Sequence, residues 1–442
     1  MPEPQIVDLL IAPSWVVPLQ PRAVMLEEHA VVVRDGRIVD ILQLVEARER
    51  YAPVQSVILP GHVLMPGLIN LHTHAAMSLM RGLADDLPLM RWLHEHIWPA
   101  ESSSMSEDFV RDGTLLACAE LLRGGTTCFS DMYFYPAAAA AAVEQAGMRA
   151  CLGLVVLDFP TPYAADADDY LNKGLALRDT LRDNQRLTTC LAPHAPYTVS
   201  NRTFEKVLTY AEQLNLNIHI HLHETRDEIA QSEAQYRARP LQRMADLGLL
   251  GPGLIAAHGV HLTEHEIELL AQRGCHIVHC PTSNLKLASG IAPVAELLGR
   301  GINVGLGTDG AASNNRLDMF GEMRLAALLA KGNSGDAEAL PAWQMLEMAT
   351  INAARALGME AEIGSIEIGK RADLIALDMS QPETQPCYDA VSHLVYAAGR
   401  EQVSHVWVGG EALLENGHLL RLDQREILER TKAWQKRLQT AH

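Results

Sequence analysis

The two ends of the chain alternate apolar and polar residues over short stretches, whereas the middle does not. Near the N-terminal end, AVVVRDGRIVDIL places Asp35 and Gly36 between two apolar runs, a pattern that predicts a β-hairpin. From about residue 366, SIEIGKRADLIALDM and VSHVWVGGEALLENGHLL have the same character. We therefore expect residues 1–60 and 366–442 to form one composite β-sandwich that is built from both termini.

Between these ends, continuous apolar runs alternate with helical patterns. Such runs are typical of strands that are buried on both faces of a parallel sheet. There are eight of them, the number of strands in a (β/α)8 barrel, so residues 61–365 are predicted to form an α/β barrel. The runs lie near residues 64–71, 126–131, 150–156, 187–193, 217–223, 254–258, 276–280 and 303–308.

The composition indicates a globular protein with more than one core, since 48% of the 442 residues are hydrophobic and 20% are charged. The N-terminal stretch lacks a basic segment followed by a long apolar one, and no run reaches membrane-spanning length without charges. Seven cysteines are scattered without a C-x-x-C pair. These features predict a cytoplasmic protein with free thiols and no membrane contact.

The charge balance is acidic, with a formal net charge of -18 from 54 acidic and 36 basic residues. No cluster of Lys and Arg interrupts this excess, so nucleic acid and anionic membranes are poor partners. We expect a small-molecule substrate and attribute the acidic excess to solubility.

Six candidate metal-site residues lie at the carboxyl ends of predicted strands, where side chains from distant positions converge in a barrel. Residues two apart share one face of a strand, as do the two histidines of LHTH and the three of IHIHLH. Only one of those three needs to reach a metal ion. The six residues are His72, His74, His221, Glu224, His258 and Asp309.

Other polar residues of the predicted barrel are not assigned to the site. His94 and His96 also spell H-x-H, but their surroundings are helical and their side chains would diverge. Loop serines and asparagines more often satisfy their own backbone than line a pocket. For that reason Ser283, Asn284, Ser313 and Asn314 are left out, although they lie in the last two loops of the barrel.

The six candidates suit metal-assisted hydrolysis. A bound divalent ion lowers the pKa of water toward neutrality and holds the resulting nucleophile against an electrophilic carbon. Glu224 lies just past a strand end and is the candidate that protonates a ring nitrogen during attack. His258 and Asp309 are the candidates that take the proton of the water and pass it toward the leaving group.

The motifs resemble those of the amidohydrolase superfamily. MPGLINLHTHAAMSLMRGLADDLPLMRWLHEHIWPAE is similar to the first motif of the 5-methylthioadenosine/S-adenosylhomocysteine deaminases, with chlorotriazine hydrolases as close relatives. APHAPYTVS, HIHLHET, AAHGVHL, CPTSNLKLASG and GLGTDGAASNN resemble the later motifs and follow in the same order. The tail IGSIEIGKRADLIALD resembles the closure of the sandwich, so the resemblance covers nearly the whole chain.

The resemblance implies roles for individual residues. One divalent metal ion per subunit, with Zn²⁺ expected and Fe²⁺ as the alternative, is bound by His72, His74, His221 and Asp309. Glu224 then matches the acid/base that also contacts the purine, and His258 the histidine that orients water. Glu101 matches a carboxylate that binds ribose hydroxyls, His194 a further substrate contact. Trp92, in the same segment as Glu101, is a candidate to cover the ligand, although a tryptophan on the apolar face of an amphipathic helix explains it equally well.

The function that follows from this resemblance is hydrolytic deamination of 5-methylthioadenosine or adenosine to the inosine analogue and ammonia, with S-adenosylhomocysteine as a further candidate substrate. Hydrolysis of a triazine or another purine by the same chemistry is the alternative within enzymes. A catalytically silent assembly module is the alternative outside them, but such a relative is expected to have lost metal ligands. A homo-oligomer is expected.

One region departs from the family pattern. The deaminases that accept S-adenosylhomocysteine hold its carboxylate with arginines after the third strand. Here the stretch from Cys151 to Leu177 contains no arginine, and Lys173 is its only basic residue. We therefore expect an anionic tail to bind poorly and a small thioether to fit.

Overall fold

The computed structural model describes residues 3–440 and contains two sheets. One is the eight-stranded parallel sheet of a barrel, and the other is a nine-stranded sheet to which both ends of the chain contribute. The predicted fold class, a (β/α)8 barrel with a composite β-sandwich domain built from both termini, is confirmed. The division at residues 60/61 and 365/366 stays a prediction.

The N-terminal part of the nine-stranded sheet is formed before the chain enters the barrel. Asp35 and Gly36 both have positive φ and form the tight turn between two antiparallel strands, as their sequence predicts. The elements are β1 (Gln5–Val16), β2 (Leu26–Glu27), β3 (His29–Arg34), β4 (Arg37–Gln43), α1 (Leu44–Arg50) and β5 (Tyr51–Pro66).

The barrel strands follow one another in space in the order in which they follow along the chain. They are β6 (Leu68–Thr73), β7 (Thr126–Tyr133), β8 (Arg149–Val156), β9 (Leu187–Pro193), β10 (Ile218–Leu222), β11 (Leu254–His258), β12 (His276–His279) and β13 (Asn303–Leu306). The backbone N–H of Asp309, just past β13, donates to the carbonyl of His72 in β6 at 3.0 Å. This bond joins the two end strands, so their carboxyl ends lie side by side.

Helices surround the barrel, and several of them begin at residues whose side chains cap them. Ser200, Thr225 and Thr263 each accept a hydrogen bond from the backbone N–H three residues later, which satisfies a free donor of the first turn. A 3₁₀ turn spans Ala75–Met80, and a π turn at Leu93–Ile97 separates the second and third helices. The helices are α2 (Leu89–Trp92), α3 (Trp98–Ser104), α4 (Glu107–Arg123), α5 (Pro136–Ala146), α6 (Ala167–Thr180), α7 (Asn201–Leu214), α8 (Arg226–Tyr236), α9 (Pro240–Asp246), α10 (Glu264–Arg273), α11 (Pro281–Lys286), α12 (Val294–Gly299), α13 (Ala311–Asn314), α14 (Met319–Ser334), α15 (Ala342–Met348) and α16 (Ile351–Ala356).

After the barrel the chain returns to the nine-stranded sheet. Leu374 pairs with Pro66, so the strands on either side of the barrel insertion are hydrogen-bonded to each other. Leu9, Leu64 and Trp407, from the two ends of the chain, pack in one buried cluster. The elements are β14 (Leu374–Asp378), α17 (Ala390–Tyr396), β15 (Val403–Val408), β16 (Glu411–Glu415), β17 (His418–Leu419) and α18 (Gln424–Thr440), with 3₁₀ turns at Pro382–Thr384 and Arg400–Gln402.

The first barrel strand was predicted near residues 64–71, and this prediction is wrong in its first half. Leu64 pairs with Ala376 of β14 and so belongs to the nine-stranded sheet, whereas the barrel strand begins at Leu68. The two strands are separated only by Gly67, where a side chain would collide with Thr127. Both strands are apolar and buried, so the hydrophobic pattern does not distinguish one sheet from the other.

All seven cysteines are free, and only Cys387 among them is partly exposed. Within residues 3–440, the structure has no helix with the length and apolar character needed to cross a membrane.

Candidate active site

The polar residues at the carboxyl ends of β6, β10, β11 and β13 meet at one end of the barrel. His74, His221, His258 and Asp309 line a cavity of about 250 Å³, and His72 lies directly beneath it and is fully buried. The structure thus brings together side chains that lie up to 237 positions apart in the sequence, from His72 to Asp309. The cavity is the expected place for a reaction in a barrel of this type.

Nitrogen and oxygen atoms converge at the floor of the cavity. Nε2 of His74 lies 3.2 Å from Nε2 of His221. Oδ1 of Asp309 lies 3.2 Å from Nε2 of His74 and 3.5 Å from Nε2 of His72. Three imidazole nitrogens and one carboxylate oxygen form a set of ligand atoms that suits zinc and iron ions.

The other ring nitrogens show that this set of ligand atoms fits a cation. Nδ1 of His74 lies 2.6 Å from the carbonyl of Met132, and Nδ1 of His221 lies 2.7 Å from the carbonyl of His194. A carbonyl only accepts, so each Nδ1 carries a hydrogen, and in the neutral form of each ring the lone pair of Nε2 faces the other ring. Nε2 of His72 is buried without any hydrogen-bond partner within residues 3–440. A metal ion would satisfy all three nitrogens.

The charge of Asp309 dominates the electrostatics of this floor. Burial lowers the pKa of His74, but the hydrogen bond and negative charge of Asp309 outweigh burial and raise it to about 9. Burial lowers the pKa of His72 to about 4 despite the same carboxylate. Burial alone would raise the pKa of Asp309, yet the two neighbouring histidines, His72 and His74, hold it well below its usual value. The carboxylate therefore attracts positive charge to this point.

Loop residues that were left out of the predicted site hold Asp309 and His258 in place. The hydroxyls of Ser283 and Ser313 donate to Oδ2 of Asp309 at 2.6 and 3.0 Å. Nδ1 of His258 donates to Oδ1 of Asn284 at 2.8 Å. The expectation that these loop residues only satisfy their own backbone is wrong for these three. Their position after the last two strands was the available signal.

Of the three histidines of IHIHLH, only His221 reaches the cavity. Nε2 of His219 lies beneath it, 3.1 Å from Nδ1 of His72, and Nδ1 of His219 is 3.2 Å from the hydroxyl of Ser130. His223 turns away from the cavity and accepts a hydrogen bond from the backbone of Leu241 at 3.0 Å. His219 thus contacts a predicted ligand from behind.

The histidines of the sequence WLHEHI lie outside the site. His94 is exposed and packs edge-on against Trp98, with 4.4 Å between the ring centroids. Neither His94 nor His96 lines the cavity.

Glu224 lies beside His258 in the cavity wall. Its Oε2 is 3.7 Å from Nε2 of His258, and burial raises its pKa above the usual value. The carboxylate of Glu228 accepts hydrogen bonds from the backbone N–H groups of Glu224, at 2.8 Å, and His223, at 2.9 Å. Glu228 was not predicted from the sequence, because a glutamate in the first turn of a helix is ordinarily a solvated residue.

A helical segment from Leu89 to Ser104, which we call the lid, covers the cavity. Trp92 and Glu101 are 5% and 8% exposed, and both line the cavity. Trp92 therefore packs in the core of the lid and also forms part of the cavity wall. Nε1 of Trp92 donates to the carbonyl of Ala84 at 3.1 Å. Burial raises the pKa of Glu101 to about 7, although the hydroxyl of Tyr133 donates to it at 2.7 Å.

The remaining wall of the cavity is mainly apolar. His194 lines it, and burial lowers the pKa of this histidine to about 3. No Lys or Arg is among the side chains that line the cavity within residues 3–440. Lys173 instead donates to the carbonyl of Tyr163 at 2.6 Å and to Asp169 at 2.8 Å. The apolar residues of the stretch after β8 that reach the cavity are Val155, Leu157, Phe159, Pro160 and Pro162.

Comparisons with known proteins agree with this arrangement. The profile of the amidohydrolase family matches residues 63–413. The chain is 49% identical to a 5-methylthioadenosine/S-adenosylhomocysteine deaminase of Saccharophagus degradans over 98% of this chain and 97% of that protein. It is 42% identical to a 5'-deoxyadenosine deaminase of Methanosarcina acetivorans over 96% of this chain and 97% of that protein.

Solved structures give the same picture. A zinc-bound adenosine deaminase from Xanthomonas campestris is similar with a TM-score of 0.98 and 50% identity, over 99% of this chain and 100% of that one. An atrazine chlorohydrolase from Arthrobacter aurescens, 24% identical, shares the fold with a TM-score of 0.89 over 96% of this chain and 99% of that one. The family match spans most of the barrel and the returning strands, and the chain belongs to the amidohydrolase family.

Proposed function

We propose that this protein hydrolytically deaminates 5-methylthioadenosine and adenosine to the inosine analogue and ammonia. As a member of the amidohydrolase family it is a hydrolase that acts on C–N bonds. The observation that carries the substrate proposal is one cavity with two ends: His74, His221 and Asp309 at the floor and Glu101 in the lid. The names of the relatives, which are nucleoside deaminases, support it.

We assign His72, His74, His221 and Asp309 as the residues that hold one divalent metal ion per chain, with Zn²⁺ as the expected ion and Fe²⁺ as the alternative. The assignment is supported by the convergence of these Nε2 atoms on Asp309, by the absence of a hydrogen-bond partner for Nε2 of His72 within residues 3–440, and by zinc in the similar adenosine deaminase. Such an ion, when bound, acts as a Lewis acid that makes water nucleophilic near neutral pH.

Glu224 is assigned as the group that protonates the purine ring during attack. Burial raises the pKa of Glu224, which makes its carboxylate a stronger base that can take up a proton and pass it to a ring nitrogen. Its place in the cavity wall, fixed by Glu228 at the backbone, leaves the carboxyl free to meet the substrate. Protonation of the ring makes the carbon that carries the amino group more electrophilic.

His258 and Asp309 are assigned to the proton of the attacking water. Because the amide oxygen of Asn284 accepts from Nδ1 of His258, Nε2 carries a lone pair and faces the carboxyl of Glu224 at 3.7 Å. This nitrogen can orient water by accepting its hydrogen. Asp309, held by two serine hydroxyls, can accept the proton and return it to the leaving ammonia.

The lid and the apolar wall are assigned to the nucleoside. The carboxylate of Glu101 can accept hydrogen bonds from both hydroxyls of a ribose diol. His194 contributes a neutral ring, and Trp92 covers the ligand. The wall formed by Leu157, Phe159 and their neighbours offers no cation for a carboxylate. A methylthio or hydroxyl group is therefore favoured over the amino-acid tail of S-adenosylhomocysteine.

The experiment that tests the function is ammonia release from a panel of nucleosides, free purines and triazines by purified protein of known metal content. Turnover of 5-methylthioadenosine and adenosine above all other compounds supports the proposal. If only a triazine is hydrolysed, the function is instead triazine hydrolysis by the same chemistry. If metal-loaded protein turns over none of the compounds, the result supports a non-catalytic role.

Two further proposals concern the state of the protein in the cell. We propose a cytoplasmic location, supported by seven free cysteines in the structure. We also propose a homo-oligomer, for which sedimentation of the purified protein is the test.

A further inference from the structure

The end of β7 touches both the floor of the cavity and the lid. The carbonyl of Met132 accepts the hydrogen of Nδ1 of His74, and the hydroxyl of the next residue, Tyr133, donates to Oε1 of Glu101 at 2.7 Å. Tyr133 is 4% exposed and lines the cavity together with Glu101. One strand end therefore sets the positions of a predicted metal ligand and of the lid carboxylate.

The bond from Tyr133 is the only hydrogen bond to the Glu101 carboxylate that the structure contains within residues 3–440, and no cation pairs with it there. A buried carboxylate ordinarily has several partners, because each unsatisfied oxygen costs free energy. A phenol donates a single hydrogen, so it occupies Oε1 and leaves Oε2 without a protein donor. The carboxylate is thus anchored at Oε1, and Oε2 remains available to accept hydrogen bonds from a ligand.

We propose that Tyr133 is a positioning residue that orients Glu101 toward the vicinal diol of a ribose and so makes the enzyme selective for ribosides. The inference rests on the proposed function and deepens it. Tyr133 acts through Glu101 and not on the reacting atoms, which lie at the floor beside His74 and Glu224. Loss of its hydroxyl should therefore weaken binding of diol-containing substrates and leave the chemical step nearly intact.

The test compares Tyr133→Phe with the parent enzyme on adenosine and on 2',3'-dideoxyadenosine, which lacks the diol. For adenosine we expect KM to rise on the order of tenfold, the loss typical of a hydrogen bond to a charged group, with kcat within about threefold. For the dideoxy substrate we expect no change in KM beyond about twofold. A structural defect would instead change the kinetics of both substrates alike.

The matched control is Tyr135→Phe, two residues further along. The hydroxyl of Tyr135 also makes one hydrogen bond, to the carbonyl of Pro162 at 2.8 Å, but Tyr135 does not line the cavity. This variant should leave the preference between the two substrates unchanged. In the background of Glu101→Gln, Tyr133→Phe should add little to the KM for adenosine, because the two residues act through one interaction.

The outcomes separate this inference from the proposed function. If the parent enzyme deaminates adenosine but Tyr133→Phe changes both substrates equally, or changes neither, the role of Tyr133 is refuted and the function stands. If Tyr133→Phe and Glu101→Gln have additive effects on KM, the two residues act independently and the inference is again refuted. If the metal-loaded parent neither binds nor deaminates any nucleoside, the proposed function and the inference both fall.

Discussion

Nε2 of His74 and Nε2 of His221 lie 3.2 Å apart, although each ring already donates its Nδ1 hydrogen to a backbone carbonyl. Two lone pairs at this distance repel each other unless a positive charge lies between or beside them. The carboxylate of Asp309 outweighs burial and raises the pKa of His74 to about 9, so a proton on Nε2 of His74 would relieve this repulsion when no metal ion is bound. A divalent ion with Asp309 as a third ligand would take it more completely.

This relationship predicts that metal and activity are lost together. We expect about one divalent ion per chain, and chelation should reduce the deamination rate by at least about 10²-fold. His72→Ala/His74→Ala should abolish metal binding, measured as metal content after dialysis. His276→Ala is a matched control, since His276 is a buried histidine of β12 that does not line the cavity, and should retain the ion. Full activity of metal-free protein would contradict the assignment.

Glu224 offers a prediction that separates chemistry from binding. Glu224→Gln keeps the shape of the side chain but removes its acidic proton, so kcat should fall by about 10²-fold or more while metal content and KM change little. The control is Glu233→Gln. Glu233 is an exposed glutamate in α8, the helix that follows Glu224, and this variant should leave kcat unchanged. Steady-state kinetics with metal analysis decide the matter, and a Glu224→Gln enzyme with parental kcat would exclude this residue as the proton donor.

His219 is predicted to act on metal affinity from beneath the floor. Its Nε2 accepts from Nδ1 of His72 at 3.1 Å, which leaves Nε2 of His72 free for a ligand bond. Partners of this kind typically change metal affinity by about 10- to 100-fold when removed. His219→Phe should therefore weaken zinc retention against a competing chelator, whereas His279→Phe, at a buried histidine of β12, should not. If the two variants retain zinc equally well, His219 contributes only to packing and not to metal affinity.

The sequence predicted the eight barrel strands and the six candidate site residues because both leave local patterns. A buried strand appears as a short apolar run, and a site residue of a barrel directly follows such a run, as His258 follows LIAA. The hydrophobic pattern does not mark the change of sheet at Gly67, since the residues on both sides of it are apolar. It depends on which strand each part meets, β14 or β7.

The residues that hold the site in place were missed for a related reason. Ser283 donates to Asp309, which lies 26 positions away, and Tyr133 donates to Glu101, which lies 32 positions away. Serine, tyrosine and a helical glutamate such as Glu228 have ordinary structural uses at each of these positions. Only the folded barrel shows which of them reaches a functional side chain.

The buried carboxyl of Glu101 predicts a stability that depends on pH. Burial raises its pKa to about 7 from an ordinary value of 4.5. Glu101 therefore binds its proton more tightly in the folded state than in the unfolded state. The contribution of this proton to the free energy of unfolding is fully present below about pH 4.5 and is lost as the pH rises through about 7. Glu101→Gln should raise the free energy of unfolding at pH 8 by about 1 to 3 kcal/mol and change it little at pH 4.5.

Thermal or denaturant unfolding of ligand-free protein at the two pH values measures this difference. Glu107→Gln, at an exposed glutamate that follows the lid, is the control and should show no such dependence. The same Glu101→Gln variant should bind ribosides less well, so its gain in stability and its loss of affinity would appear in one protein. Equal effects on stability at both pH values would contradict the raised pKa.

Substrate choice follows from the absence of a cation in the cavity wall. The tail of S-adenosylhomocysteine carries a carboxylate, and burying it without a partner costs on the order of several kcal/mol, whereas a methylthio group gains from apolar walls. Lys173, the one basic residue of the stretch after β8, is bound to Asp169 and to a backbone carbonyl and does not line the cavity. We therefore expect kcat/KM for 5-methylthioadenosine to exceed that for S-adenosylhomocysteine by about tenfold or more, equivalent to about 1.4 kcal/mol.

A substitution at the mouth of the cavity tests the cause of this preference. Phe159 lines the cavity and is 39% exposed, so an arginine there can reach both the solvent and a bound tail. Phe159→Arg should raise kcat/KM for S-adenosylhomocysteine relative to 5-methylthioadenosine, by supplying the missing partner of the carboxylate. Phe159→Gln removes the same ring without adding charge and should leave the ratio nearly unchanged. Competition kinetics with the two substrates measure the ratio directly, and a parent enzyme that prefers S-adenosylhomocysteine would show that its carboxylate is held by a group outside this wall.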